Sequence, residues 1–151
     1  MQKEINTGVM LNVIPTQQFK TTRVVISFLK ELTDRKELVM RTLLANILET
    51  SSQAYPTQKA VALELSKMYG ASFGTTVSRR GQVHILNFVL NCVNDNYLLH
   101  PEDLLGQVFS FLKELIFAPL ANDGAFDEAT FERQKPNLTA YIEAVKDNKQ
   151  S

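Results

Sequence analysis

Two spacings of apolar residues organise this chain. Residues 8–14, GVMLNVI, form a short apolar run followed by the polar turn Pro15-Thr16-Gln17-Gln18. Residues 19–29, FKTTRVVISFL, are rich in β-branched and aromatic side chains, which predicts a second strand paired with the first as a hairpin. The period then changes. Leu38, Leu44 and Leu48 repeat at helical spacing, and Met40, Leu43 and Ile47 add a second line. Together they predict a helix over 35–50 with a broad apolar face. Asp34 can cap it, and Glu37 stands at capping-box spacing, with Asp in place of the usual Ser or Thr. Pro56 opens a second helix that carries Ala60, Leu63 and Met68 beside Val61 and Leu65, and Gly70 ends it.

Residues 72–79 and 82–93 return to strand character, joined by a tight turn near Arg80-Gly81. The second is apolar beyond strict alternation, which predicts a mostly buried strand. Asn94-Asp95-Asn96 breaks it. A helix then starts at His100 or Pro101 and runs to about 117, with Leu104, Leu105, Val108, Phe111, Leu112 and Leu115 along its packed side. Val83, Ile85, Phe109 and Phe111 are assigned to the core. Pro119 and Asn122-Asp123-Gly124 predict a loop. A last helix runs from Asp127 or Glu128 through Lys146, kinked or restarted at Pro136. The predicted order is ββααββαα: an α+β fold, with an antiparallel sheet and helices packed on one face. Both halves share that order of elements but no residue-level repeat.

At 151 residues the chain suits one domain with a real core, residues 1–151. Sixteen basic and 16 acidic residues cancel, so no strong field draws nucleic acid or anionic lipid. No apolar run approaches the ~20 residues of a membrane span. The polar opening Met1-Gln2-Lys3-Glu4 is unlike a secretory leader. These features lead to the expectation of a cytoplasmic protein. The polar end Asn148-Lys149-Gln150-Ser151 fits either a natural terminus or a boundary before further structure.

Few residues offer chemistry. There is no G-x-G-x-x-G, Walker A or G-x-S-x-G motif, so Ser51-Ser52 read as turn residues. Cys92, the only cysteine, sits in LNFVLNCVN and reads as a buried small hydrophobe. His84 and His100 are the only histidines. His84 falls in a strand, as a core-edge or surface residue. His100 falls in a helix-cap region. Glu49, on an apolar helix, either faces a cleft or serves the helix end. Thr42 and Asn46, at i,i+4, share a helix face.

The segment RKELVMRTLLANILETSSQAYPTQKAVALELSKMYG, residues 35–70, resembles the zinc-site region of the pitrilysin/insulinase peptidases. In that family the first helix carries His-x-x-Glu-His and is followed by a turn ending in Tyr-Pro, here Tyr55-Pro56. Leu43-Leu44, Met68-Tyr69-Gly70-Ala71-Ser72-Phe73 and Gly81-Gln82-Val83-His84 are similar to the inactive partner of bacterial pairs in the family. Counting back from Tyr55-Pro56 without gaps places the zinc motif on Thr42-Leu43-Leu44-Ala45-Asn46. Thr42 and Asn46 then replace the ligand histidines, and Ala45 replaces the catalytic glutamate. A gapped alignment moves the motif to residues 46–50 and keeps Glu49 as the glutamate, still without histidines. Glu132-Arg133-Gln134-Lys135 resembles the start of the third-ligand helix, with Tyr141 near the ligand position and Glu143 out of register.

The resemblance implies the metallohydrolase domain shared with mitochondrial processing peptidase, as an N-terminal domain in whole or in part. It implies no zinc in this chain, because threonine, alanine and asparagine supply neither ligands nor a base for zinc-bound water. Zinc is expected only in an active pitrilysin-like partner, with which this chain would form a peptide-holding chamber as a heterodimer. Glu49, Phe73 and Thr75 are the candidate cleft or substrate contacts, since a strand near the zinc site of relatives receives substrate by β-addition. Two alternatives stand beside this: an active metallopeptidase with atypical ligands, and a structural interaction module. An isolated piece of a longer protein would also be prone to homo-oligomerise.

Overall fold

The strand from Val83 to Val93 fixes the architecture. His84, Leu86, Phe88, Leu90 and Cys92 are buried, while its odd-numbered residues are half-buried. Successive strand side chains point to opposite faces, so one face of the sheet is sealed and the other is partly open. The computed structural model describes residues 1–31 and 34–147, without the side chains of Tyr141 and residues 145–147. In chain order the elements are β1 (Gln2–Asn6), β2 (Val9–Asn12), β3 (Thr21–Glu31), α1 (Arg35–Thr50), α2 (Gln58–Lys67), β4 (Ser72–Arg80) and β5 (Val83–Val93). A 3₁₀ turn (Asp95–Tyr97), α3 (Leu104–Phe117), β6 (Ala121–Asn122), β7 (Ala125–Phe126) and α4 (Glu128–Asp147) follow.

The main sheet has the order β3-β5-β4 and is antiparallel throughout. Its register aligns Ile26 with Phe88 and Thr75, and Val24 with Leu90 and Phe73. The sealed face carries the core. Leu90 and Cys92 pack with Val61 and Met68 and with Leu104, Val108, Phe111, Leu112 and Leu115 of α3. Leu86 and Phe88 pack with Ala45 and Leu48 of α1. On the opposite face, polar rows cross all three strands: Ser27–Asn87–Thr76 and Arg23–Asn91–Ser72.

The predicted hairpin between residues 8–14 and 19–29 does not form. β2 pairs with β1, and β3 pairs with β5. The two-residue turn Thr7-Gly8, with Gly8 at φ 75°, closes the first pairing locally. β1 left no apolar signal because every residue of QKEIN is exposed. The predicted order ββααββαα therefore gains a strand at the start and a small hairpin, β6–β7, where a loop was expected. Asp123 (φ 50°) and Gly124 (φ 78°) form its turn, the left-handed pair a tight hairpin needs.

Helix boundaries follow their caps. Asp34 accepts from the Lys36 amide at 3.0 Å. Glu37 pairs with Lys30 instead of closing a capping box. α2 begins at Gln58 because the Thr57 hydroxyl accepts from the Ala60 amide. α3 begins at Leu104, later than expected, because Asp103 accepts from the Gly106 amide at 2.8 Å. α4 runs through Pro136 without restarting. Pro136 is exposed, where water can serve the carbonyl its missing N–H leaves free. The apolar face of α1 is narrower than its sequence implies: Met40 is exposed, and Thr42, Ala45, Ile47 and Leu48 are buried. Phe109 is half-exposed, Val83 and Ile85 are half-buried, and Phe111 alone of that predicted group is in the core. No helix among the described residues is long and apolar enough to cross a membrane.

Candidate functional site

Residues three and four apart on a helix share a face, so α1 aligns Thr42, Ala45, Asn46 and Glu49. The end of this row meets β4. Glu49 Oε2 accepts from the Thr75 amide at 2.9 Å and from the Thr75 hydroxyl at 2.5 Å. Glu49 Oε1 stands where a Cβ on Gly74 would come within 3.9 Å. The structure thus joins two residues that the sequence singled out separately. Phe73 is half-buried beside them, stacked on Phe88 and edge-on to Phe111.

The strand ladder shows what Glu49 occupies. The Asn94 amide donates to the Lys20 carbonyl, so even-numbered residues of β5 bond β3. Odd-numbered residues of β5 then bond Ser72, Gly74, Thr76, Ser78 and Arg80 of β4. This leaves the backbone groups of Phe73, Thr75 and Val77 facing the outer edge of β4. The Glu49 carboxylate caps the middle one.

Thr42 and Ala45 are committed to structure. The Thr42 hydroxyl is buried and donates to the Leu38 carbonyl at 2.9 Å. Ala45 has 0% exposure and packs against Leu48, Leu86 and Phe88. Asn46 is half-buried, and its carbonyl accepts from the Thr50 hydroxyl. Tyr141 lies on α4, with its side chain outside the described residues; Glu143 on the same helix is exposed.

Beneath the start of α1, Arg41 Nε donates to His84 Nδ1 at 3.0 Å, and Arg41 Nη2 donates to the Phe28 carbonyl at 3.1 Å. His84 Nε2 is buried without a partner. Burial, then the Arg41 charge, holds the imidazole below its ordinary value. Sequence reasoning placed His84 at a core edge or surface and missed Arg41. No spacing signal joins two residues 43 positions apart on different elements. His100 is exposed. Cys92 is buried, and burial, then Asp95, raises its thiol.

The residues present do not fit a zinc ion. A zinc site needs imidazole, thiolate or carboxylate donors that converge. Thr42 has spent its hydroxyl, Ala45 has no donor, and Glu49 is held by Thr75. Among the described residues, no three His, Cys, Asp or Glu side chains come together. A groove of about 640 Å³ lies elsewhere, lined by Tyr55, Glu64, Asp103, Gln107 and Glu114. Its carboxylates are already engaged: Asp103 with Gly106, Glu114 with the Ala54 amide and Glu64 with Lys67.

Fold and site together define a mixed α+β domain whose central helix closes on a sheet edge through a carboxylate. No family model matches the chain. Over 142 residues it is 28% identical to "Probable inactive metalloprotease YmfF" of Bacillus subtilis (strain 168), a match covering 94% of this chain and 33% of that protein. It also matches the crystal structure of a conserved protein from Enterococcus faecalis V583. There the TM-score is 0.92 and the identity 42%, over 99% of this chain and 35% of that one. The chain therefore spans about a third of the length of these relatives.

Proposed function

We propose that this chain is the N-terminal domain of a non-catalytic pitrilysin-like peptidase homologue. It helps form a peptide-holding chamber with an active subunit that supplies zinc and the general base. The observation that carries the reading is the α1 row Thr42, Ala45 and Asn46, at the positions where the resemblance puts ligands and base. Similarity to a protein named a probable inactive metalloprotease, across 94% of this chain, supports it. Peptide enters as a strand added to the outer edge of β4, with Phe73 and Thr75 as its contacts. β-addition gives affinity through main-chain bonds, and that edge turns the backbone groups of Phe73, Thr75 and Val77 outward beside α1, with Glu49 on the Thr75 amide. Exposed Ile5, Met10, Ile14 and Phe19 also favour self-association of the isolated chain.

The test has two readouts on untagged protein. Elemental analysis after dialysis against buffered zinc is expected to give less than about a tenth of an equivalent; one tightly held zinc per chain would overturn the non-catalytic assignment. Hydrogen exchange with an extended peptide is expected to slow the amides of Phe73, Thr75 and Val77. Slowing confined to other elements would overturn the assignment of the edge.

A further inference from the structure

We propose that Glu49 selects which peptides the β4 edge admits, disfavouring neutral and acidic strands and favouring an extended peptide with lysine or arginine opposite Thr75. The inference rests on the reading of β4 as a peptide-receiving edge.

An added strand bonds the outward-facing groups of Phe73, Thr75 and Val77. The Thr75 amide is the middle donor of that set, and Glu49 already fills it, together with the Thr75 hydroxyl. The carboxylate thus stands where the carbonyl of an incoming strand must go. Admitting the strand takes the Thr75 amide from Glu49 and leaves its half-buried carboxylate, beside Gly74, with the Thr75 hydroxyl alone. A half-buried carboxylate short of a donor is costly, so the group gains from a new partner.

Strand geometry says where that partner comes from. Residues directly opposite in an antiparallel pair point to the same face, as Thr75 and Phe88 do. The residue opposite Thr75 on an added strand therefore points to the α1 side, next to Glu49. A lysine or arginine there re-pairs the displaced carboxylate. A neutral side chain leaves it one donor short, and a glutamate adds like charge.

The experiment uses labelled peptides that alternate threonine with lysine, norleucine or glutamate, so that alternate registers place the test residue opposite Thr75. Binding is measured by fluorescence anisotropy to wild type, Glu49→Gln and Glu49→Ala, with hydrogen exchange at β4 in parallel. In wild type the lysine peptide should bind roughly tenfold or more tighter than the norleucine peptide, and the glutamate peptide weakest. In Glu49→Ala the preference should fall below about twofold while the norleucine peptide gains affinity, with Glu49→Gln between. A lysine preference of the same size in wild type and Glu49→Ala would overturn the proposal and leave the edge reading intact. So would a norleucine peptide that binds both equally. Peptides that never slow the β4 amides, in a protein whose Thr75 amide is slower than in Glu49→Ala, would overturn the edge reading and this proposal with it.

Discussion

Titrating His84 should destabilise the fold on the acid side. Its Nδ1 accepts from Arg41, so the neutral ring carries its proton on Nε2, which is buried and faces no acceptor. Protonation would put a second N–H against the Arg41 Nε–H at 3.0 Å and a charge into a site that is 1% exposed. The folded pKa is therefore lowered from the unfolded 6.5. Below 6.5 the unfolded chain takes up a proton that the folded chain resists. The stability tied to neutral His84 is complete above the unfolded value and is lost as pH falls from there through the lowered folded value. The slope reaches at most about 1.4 kcal/mol per pH unit, so the loss between about pH 6.5 and 5.5 is at most about 1 kcal/mol. With a urea m-value of about 2 kcal/mol/M, that moves the midpoint by no more than roughly 0.5 M. Carboxylates titrate in the same region, so the quantity to measure is the wild-type midpoint minus that of His84→Gln, from about pH 7.5 to about 5. The difference should decline as pH drops, and Arg41→Met should make the decline shallower. A difference that stays flat would refute the assignment of a buried neutral imidazole.

Phe88→Ala empties the centre of the sealed face, where the ring is 1% exposed and meets both Phe28 and Phe73; it should cost about 3–5 kcal/mol in urea unfolding. Asp103→Ala removes the α3 cap and should cost about 1 kcal/mol, with a smaller loss for Asp103→Asn. Cys92 should react with a thiol reagent only at the rate at which the protein opens, because the sulfur is buried and its pKa is raised; fast stoichiometric labelling of native protein would contradict that placement.

What the sequence disclosed depended on whether a segment's signal was local. α1 was legible to the residue, since Asp34 and a helical apolar repeat mark it without outside help. β4 and β5 were legible because Gly81 (φ 60°) sits between two β-rich runs. β1 was hidden because its residues are all exposed, and pairing β2 with the wrong neighbour followed from that. At the candidate site, Glu49 and Thr75 each stood out, one on a helix and one on a strand. Their contact did not, because it depends on how α1 lies across the sheet. The Arg41–His84 bond was illegible for the same reason, with no motif to hint at it.

The closed packing at Ala45 acts as a ratchet. Its methyl group has no exposed surface and lies in one buried cluster with Leu48, Leu86 and Phe88. Glutamate at this position would force four extra heavy atoms and a charge into filled space, with overpacking alone costing about 1–3 kcal/mol. Histidine at position 42 would have to replace a hydroxyl already bonded within its own helix. Each step toward a working metal motif thus lowers stability before any metal can repay it. The packing of α1 on the sheet therefore holds positions 42 and 45 to small or already bonded side chains.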